Sequence, residues 1–132
     1  MKICIALLLL MTGLQADKIK ETLTAYTAVF KIAKDDPDLK KATIKVTMWE
    51  YNPLLADASA KKFAYKESIL LHKKGTETRA SFALGKKDQT KTQMKYYITA
   101  EVWAKGKRLY FLDGFNKVVP GGKGEHKLKK LK

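Results

Sequence analysis

Ala42-Thr43-Ile44-Lys45-Val46-Thr47-Met48 sets apolar side chains on every second position and polar ones between them. A period of two belongs to a half-buried β-strand, because successive side chains point to opposite faces. Working toward the N-terminus, Tyr26, Ala28, Phe30 and Ile32 alternate in the same way before Asp35-Asp36-Pro37-Asp38 breaks the run as a turn. Working toward the C-terminus, Asn52-Pro53 ends the strand, and Leu54 to Ala60 is a connection of small residues. Phe63, Tyr65, Ile69 and Leu71 share one parity and are expected to face inward, with Glu67 interrupting them. After Gly75 come Thr78, Ala80, Phe82 and Leu84, then a polar loop from Gly85 to Thr92. Met94, Tyr96, Ile98, Ala100 and Val102 form a fifth apolar face, and Lys105-Gly106 reads as a hairpin turn into Arg108–Leu112. Pro120-Gly121-Gly122-Lys123-Gly124 reads as a flexible connection to a last edge strand over His126–Leu131. Seven strands with no helical period predict an all-β chain, an antiparallel β-sandwich or Greek-key barrel.

The chain has 132 residues, 45% of them hydrophobic, which suits one globular domain and is too apolar for a disordered chain. Residues 1–16, MKICIALLLLMTGLQA, place Lys2 before an apolar run from Ile3 to Met11 and a small-residue stretch before Asp17. That order predicts a secretory signal peptide, with residues 17–132 as a single β-sandwich domain. The apolar run is shorter than the roughly 20 residues needed to span a bilayer. Cys4 lies at the start of that run, not directly after it, and is not placed as a lipid-modified cysteine, so no membrane span or lipid anchor is expected. No N-x-[ST] acceptor occurs, and one cysteine excludes a disulfide scaffold.

Chemistry finds little footing. Ser59, Ser68 and Ser81 with His72 and His126 form no G-x-S-x-G elbow, so the histidines are expected to be solvated and the chain non-enzymatic. Two distant histidines give no transition-metal set, and no cofactor is expected. Asp35, Asp36 and Asp38 offer oxygen ligands but lack the glycine and bidentate glutamate of a calcium loop. Lys123-Gly124 does not continue as a P-loop.

Charge stands out. With 27 basic and 13 acidic residues the formal net charge is +14, and only Arg79 and Arg108 among the basic residues are arginine. Lysines pair at Lys40-Lys41, Lys61-Lys62, Lys73-Lys74, Lys86-Lys87 and Lys129-Lys130. Lysine is a mobile point charge without the planar fork of arginine. These ten residues therefore suit diffuse attraction to anionic polysaccharide, anionic lipid or acidic protein, and not specific reading of nucleic acid. The same surface also serves solubility alone. Trp49, Tyr51, Tyr97 and Trp103 have the parity opposite to their buried neighbours, which predicts an aromatic contact face on the outside of a sheet.

Thr43 to Asn52, the Leu55-Ala-Asp-Ala-Ser-Ala60 connection, Tyr96 to Trp103 and the Gly106-Lys-Arg-Leu-Tyr-Phe111 strand follow one another in an order that resembles the YbaY-like and YscW type III secretion lipoprotein-chaperone (pilotin) family. The resemblance covers about residues 42–131. It implies an immunoglobulin-like sandwich with binding or chaperone duties and no catalytic centre. Ser59 stands where that family often has proline, and the anchoring cysteine of pilotins has no counterpart. Two functional readings follow. The first is a secreted, basic, non-enzymatic protein that associates with anionic extracellular macromolecules or matrix. The alternative is a periplasmic, pilotin-like accessory protein that binds a protein partner.

Overall fold

A computed structural model describes residues 23–55 and 57–131; the leader expected over residues 1–16 lies outside them. Among the described residues nine strands run in chain order: β1 Thr24–Ile32, β2 Leu39–Tyr51, β3 Lys61–His72, β4 Thr78–Lys86, β5 Lys95–Ala104, β6 Lys107–Phe111, β7 Asn116–Val118, β8 Gly122–Lys127 and β9 Lys129–Lys130. A 3₁₀ turn, Lys87–Gln89, follows β4. The strands divide into a three-stranded sheet, β4-β1-β8, and a six-stranded sheet, β3-β2-β5-β6-β9, in which β7 also pairs with β5. The chain is an all-β sandwich.

The inner faces carry the alternation read from the sequence. Ile44, Val46 and Met48 of β2 are completely buried, and Tyr96, Ile98, Ala100 and Val102 of β5 lie beside them in antiparallel register. From the small sheet Tyr26, Ala28, Phe30 and Ile32 meet them, with Phe82 and Leu84 of β4. Phe30 and Phe82 pack edge to face at 5.9 Å between ring centroids. Each fully buried side chain of this size contributes about 1.5–3 kcal/mol relative to exposure, which makes this layer the main source of stability.

Three details depart from the sequence reading. The glycine-rich Pro120–Gly124 segment is not a loose connection. Its last three residues enter β8, which pairs in parallel with Tyr26–Lys31 of β1, so the sandwich is not purely antiparallel. A side chain at position 124 would run into the Tyr26 hydroxyl, so glycine is what lets β8 lie against β1 there. The final strand divides at buried Leu128 into β8 in one sheet and β9 in the other, and the short β7 adds the ninth strand.

The histidines depart as well. His72 is buried; its Nδ1 lies 2.6 Å from the Thr78 hydroxyl and its Nε2 lies 3.1 Å from the Asp36 carbonyl, tying the β1–β2 turn to the β3–β4 connection. His126 is half-buried, with Nε2 2.8 Å from the Tyr26 hydroxyl. Burial holds its imidazole below the ordinary pKa of 6.5 and pushes the Tyr26 phenol up. Both histidines are structural fasteners, not solvated side chains.

The third departure is β3. Its register against β2 slips between Met48↔Ala64 and Trp49↔Lys62, leaving Phe63 as an extra residue. A bulge of this kind reverses which side chains face the core on its far side. Phe63 still packs inward, edge-on to Tyr96 at 5.2 Å, but Leu70 and His72 then take the buried positions. Tyr65, Ile69 and Leu71, expected inside, lie outside.

Candidate functional site

Residues directly opposite one another in an antiparallel pair share a face of the sheet. The pairs Trp49↔Tyr97, Thr47↔Thr99, Lys45↔Glu101 and Thr43↔Trp103 therefore lay out the outer face of the large sheet across β2 and β5. On the β3 side Tyr65, Glu67 and Ile69 extend that face opposite Thr47, Lys45 and Thr43.

At one end of this face the aromatic residues gather. The Trp49 and Tyr97 rings stack at 6.2 Å with 16° between their planes, and Tyr51 lies 5.8 Å from Tyr97. Phe115, from the turn after β6, completes the group at 4.8 Å from Tyr97 and 5.9 Å from Tyr51. The Trp49 indole N–H donates to the Thr99 hydroxyl at 2.9 Å, which fixes the ring. The cluster is half-exposed and held in place, a combination that presents apolar area at low entropic cost. Trp103 does not belong to it. That residue sits at the other end of β5, where the Lys45 ammonium lies 5.6 Å from its ring centroid.

At the β3 border the apolar side chains are more open. Ile69 is 74% exposed and Leu71 64%, and Tyr65 beside them is also exposed. The Tyr65 hydroxyl donates to Glu67 at 2.6 Å; that bond, more than desolvation, raises the phenol pKa. The Lys62 ammonium stands 4.9 Å from the Tyr65 ring centroid. β3 is the terminal strand of its sheet, so among the described residues its outer backbone edge has no strand beside it.

All ten paired lysines are exposed, but they do not converge. The pairing Leu39↔His72 sets Lys40, Lys41, Lys73 and Lys74 at one end of the sandwich. Glu50↔Lys61 and Thr24↔Lys86 place Lys61, Lys62, Lys86 and Lys87 at the other. Lys129 and Lys130 lie on β9. Lys40 and Lys41, joined by Lys105 and Lys107, rim a cleft of about 640 Å³. Both arginines are occupied by carboxylates, Arg79 by Glu77 and Glu125 and Arg108 by Glu101. Among the described residues, the lysine ion pairs are Lys31–Glu125 and Lys129–Asp113. Glu125 is held below the usual carboxylate range by the Lys31 hydrogen bond first and the nearby Arg79 charge second.

Asp35, Asp36 and Asp38 form the expected turn; Asp38 accepts the Lys74 amide N–H at 2.7 Å. Among the described residues no cluster of histidine, cysteine and carboxylate side chains is arranged to hold a metal. Sequence reading missed Phe115, although an aromatic residue directly after Asp113-Gly114 is a usable signal. It also missed Tyr65, Ile69 and Leu71 as surface residues, and there the signal was Glu67 on their shared parity.

No family model matches the chain, and no curated protein matches it. Among solved structures the fold is similar to that of an alternative pilotin from the type II secretion system of Vibrio cholerae. The TM-score is 0.61 at 17% identity, and the match covers 83% of this chain and 98% of that one. At this identity the likeness concerns the fold. No helix among the described residues is long and apolar enough to cross a membrane.

Proposed function

We propose that the chain is a non-enzymatic accessory protein, chaperone-like in action, that captures another protein in the cell envelope. The observation that carries this reading is the outer face of the six-stranded sheet, where Trp49, Tyr51, Tyr97 and Phe115 form one half-exposed aromatic platform. Rigid aromatic area next to polar residues is the composition of interface hot spots. The leader-like residues 1–16 support export, and the likeness to a pilotin supports an envelope role over a matrix one. The reading as a binder of anionic polysaccharide or matrix rests on net charge, and the separation of the lysine pairs to opposite ends weakens it.

The two readings differ in salt dependence. Exposed charges are screened within about 8 Å at physiological ionic strength, whereas apolar contact persists. Immobilised protein is exposed to envelope extract and washed in molar salt. A defined partner protein should remain bound to the native chain and be lost from Trp49→Ala/Tyr97→Ala. A partner released by salt from both forms, with equal retention of both on a sulfated polymer, contradicts the accessory reading.

A further inference from the structure

We propose that the free edge of β3 takes up an extended segment of the partner as an added strand, and that this segment carries acidic residues at both ends. This rests on the accessory reading above and names the partner's local chemistry. Three observations converge on it.

First, β3 is twelve residues long and lies at the border of its sheet, and among the described residues no strand pairs with its outer edge, where a row of backbone donors and acceptors points away from β2. Such an edge templates another strand unless something blocks it. Second, Tyr65 to Ile69 are exposed without interruption, on both faces of the sheet. An added strand therefore finds exposed apolar neighbours in Tyr65, Ile69 and Leu71 on the outer face. Third, the edge is bracketed by charge. Lys61 and Lys62 open β3, Lys73 and Lys74 follow it, and Lys66 stands in its middle. Between Lys61 and Lys74 the acid is Glu67, already hydrogen-bonded to Tyr65.

The brackets choose between occupants. Two copies of this chain paired antiparallel over the whole bracketed span, Lys61 to Lys74, would set Lys62 opposite Lys73 and Lys61 opposite Lys74, at both ends. A parallel pair in register would set each lysine beside its twin. Like charges directly opposite destabilise a strand pair, and opposite charges stabilise it. In both of these arrangements a second copy is disfavoured, and a strand with acids about eleven residues apart is favoured, which at ~3.4 Å per residue is about 37 Å.

The test uses the full-length protein and a fluorescent fourteen-residue probe, Glu-Glu, five Val-Thr repeats, Glu-Glu. Controls are the probe with two central prolines and the probe with lysine replacing glutamate. Anisotropy measures affinity, and amide hydrogen exchange locates the contact. The glutamate probe should bind and slow exchange across β3. Lys62→Glu/Lys73→Glu should weaken it at least tenfold and should bind the lysine probe more tightly than the native chain does. Equal binding of the proline probe would reduce the effect to charge and overturn the inference. So would no binding, tight dimerisation through β3, or protection confined to Tyr97 and Thr99. That last result would leave the aromatic platform, and with it the accessory reading, in place.

Discussion

β2 and β3 are neighbours in one sheet and nearly equal in length, thirteen and twelve residues, yet they have opposite fates. β2 has strands on both sides and the small sheet across from it, and Ile44, Val46 and Met48 lose all contact with water. Among the described residues β3 has one strand neighbour, and Lys66 and Ser68, opposite the core-facing Val46 and Ile44, stay exposed. Position in the sandwich, not strand propensity, decides whether an isoleucine stabilises the fold or remains available to a partner.

The largest effect that probes this contrast is on stability. Ile44→Ala removes a completely buried side chain and should cost about 2–5 kcal/mol. Ile69→Ala, the same change on the neighbouring strand, should stay within about 0.5 kcal/mol of the native chain. Urea unfolding of the two variants measures the difference directly. A cost above 2 kcal/mol for Ile69→Ala would mean that β3 is covered in the free protein.

A smaller effect concerns the fastener between β1 and β8. The His126 imidazole is held below 6.5 in the folded chain, so the unfolded chain takes up the proton first as pH falls. Stability from this group is complete above the unfolded-state value and declines as pH drops through the folded-state value. Protonation then sets a charged ring in a half-buried position, 2.8 Å from the Tyr26 hydroxyl. Urea midpoints between pH 7.5 and 5 should fall more steeply for the native chain than for His126→Gln. Parallel pH profiles would remove His126 from this role.

Much of the fold was legible in the residues. Regular alternation over Ala42–Met48 and Met94–Val102 needs only the two-residue period of a strand, and both segments lie in the core as read. The parity of β3 was not legible, because one extra residue at Phe63 exchanges the two faces and no local propensity marks a bulge. Nor was β8. Three glycines in five residues read as flexibility, whereas Gly124 is there to clear the Tyr26 hydroxyl of a strand about a hundred residues away. The aromatic platform was legible in part. Opposite parity placed Trp49, Tyr51 and Tyr97 outside, but that rule carries no information on position along a strand, so it could not separate Trp103 from them. Lysine pairs near turns were visible as charge, yet only the register shows that they fall at opposite ends.

Hydrogen exchange on the free full-length protein, resolved by residue, tests most directly that one sheet combines a sealed centre with an open border. Amides across β2 and β5 should exchange only with global unfolding, while about half of those in β3, the ones pointing away from β2, should exchange orders of magnitude faster. Uniform protection of every β3 amide in the monomer would contradict the open edge on which the account of partner capture is built.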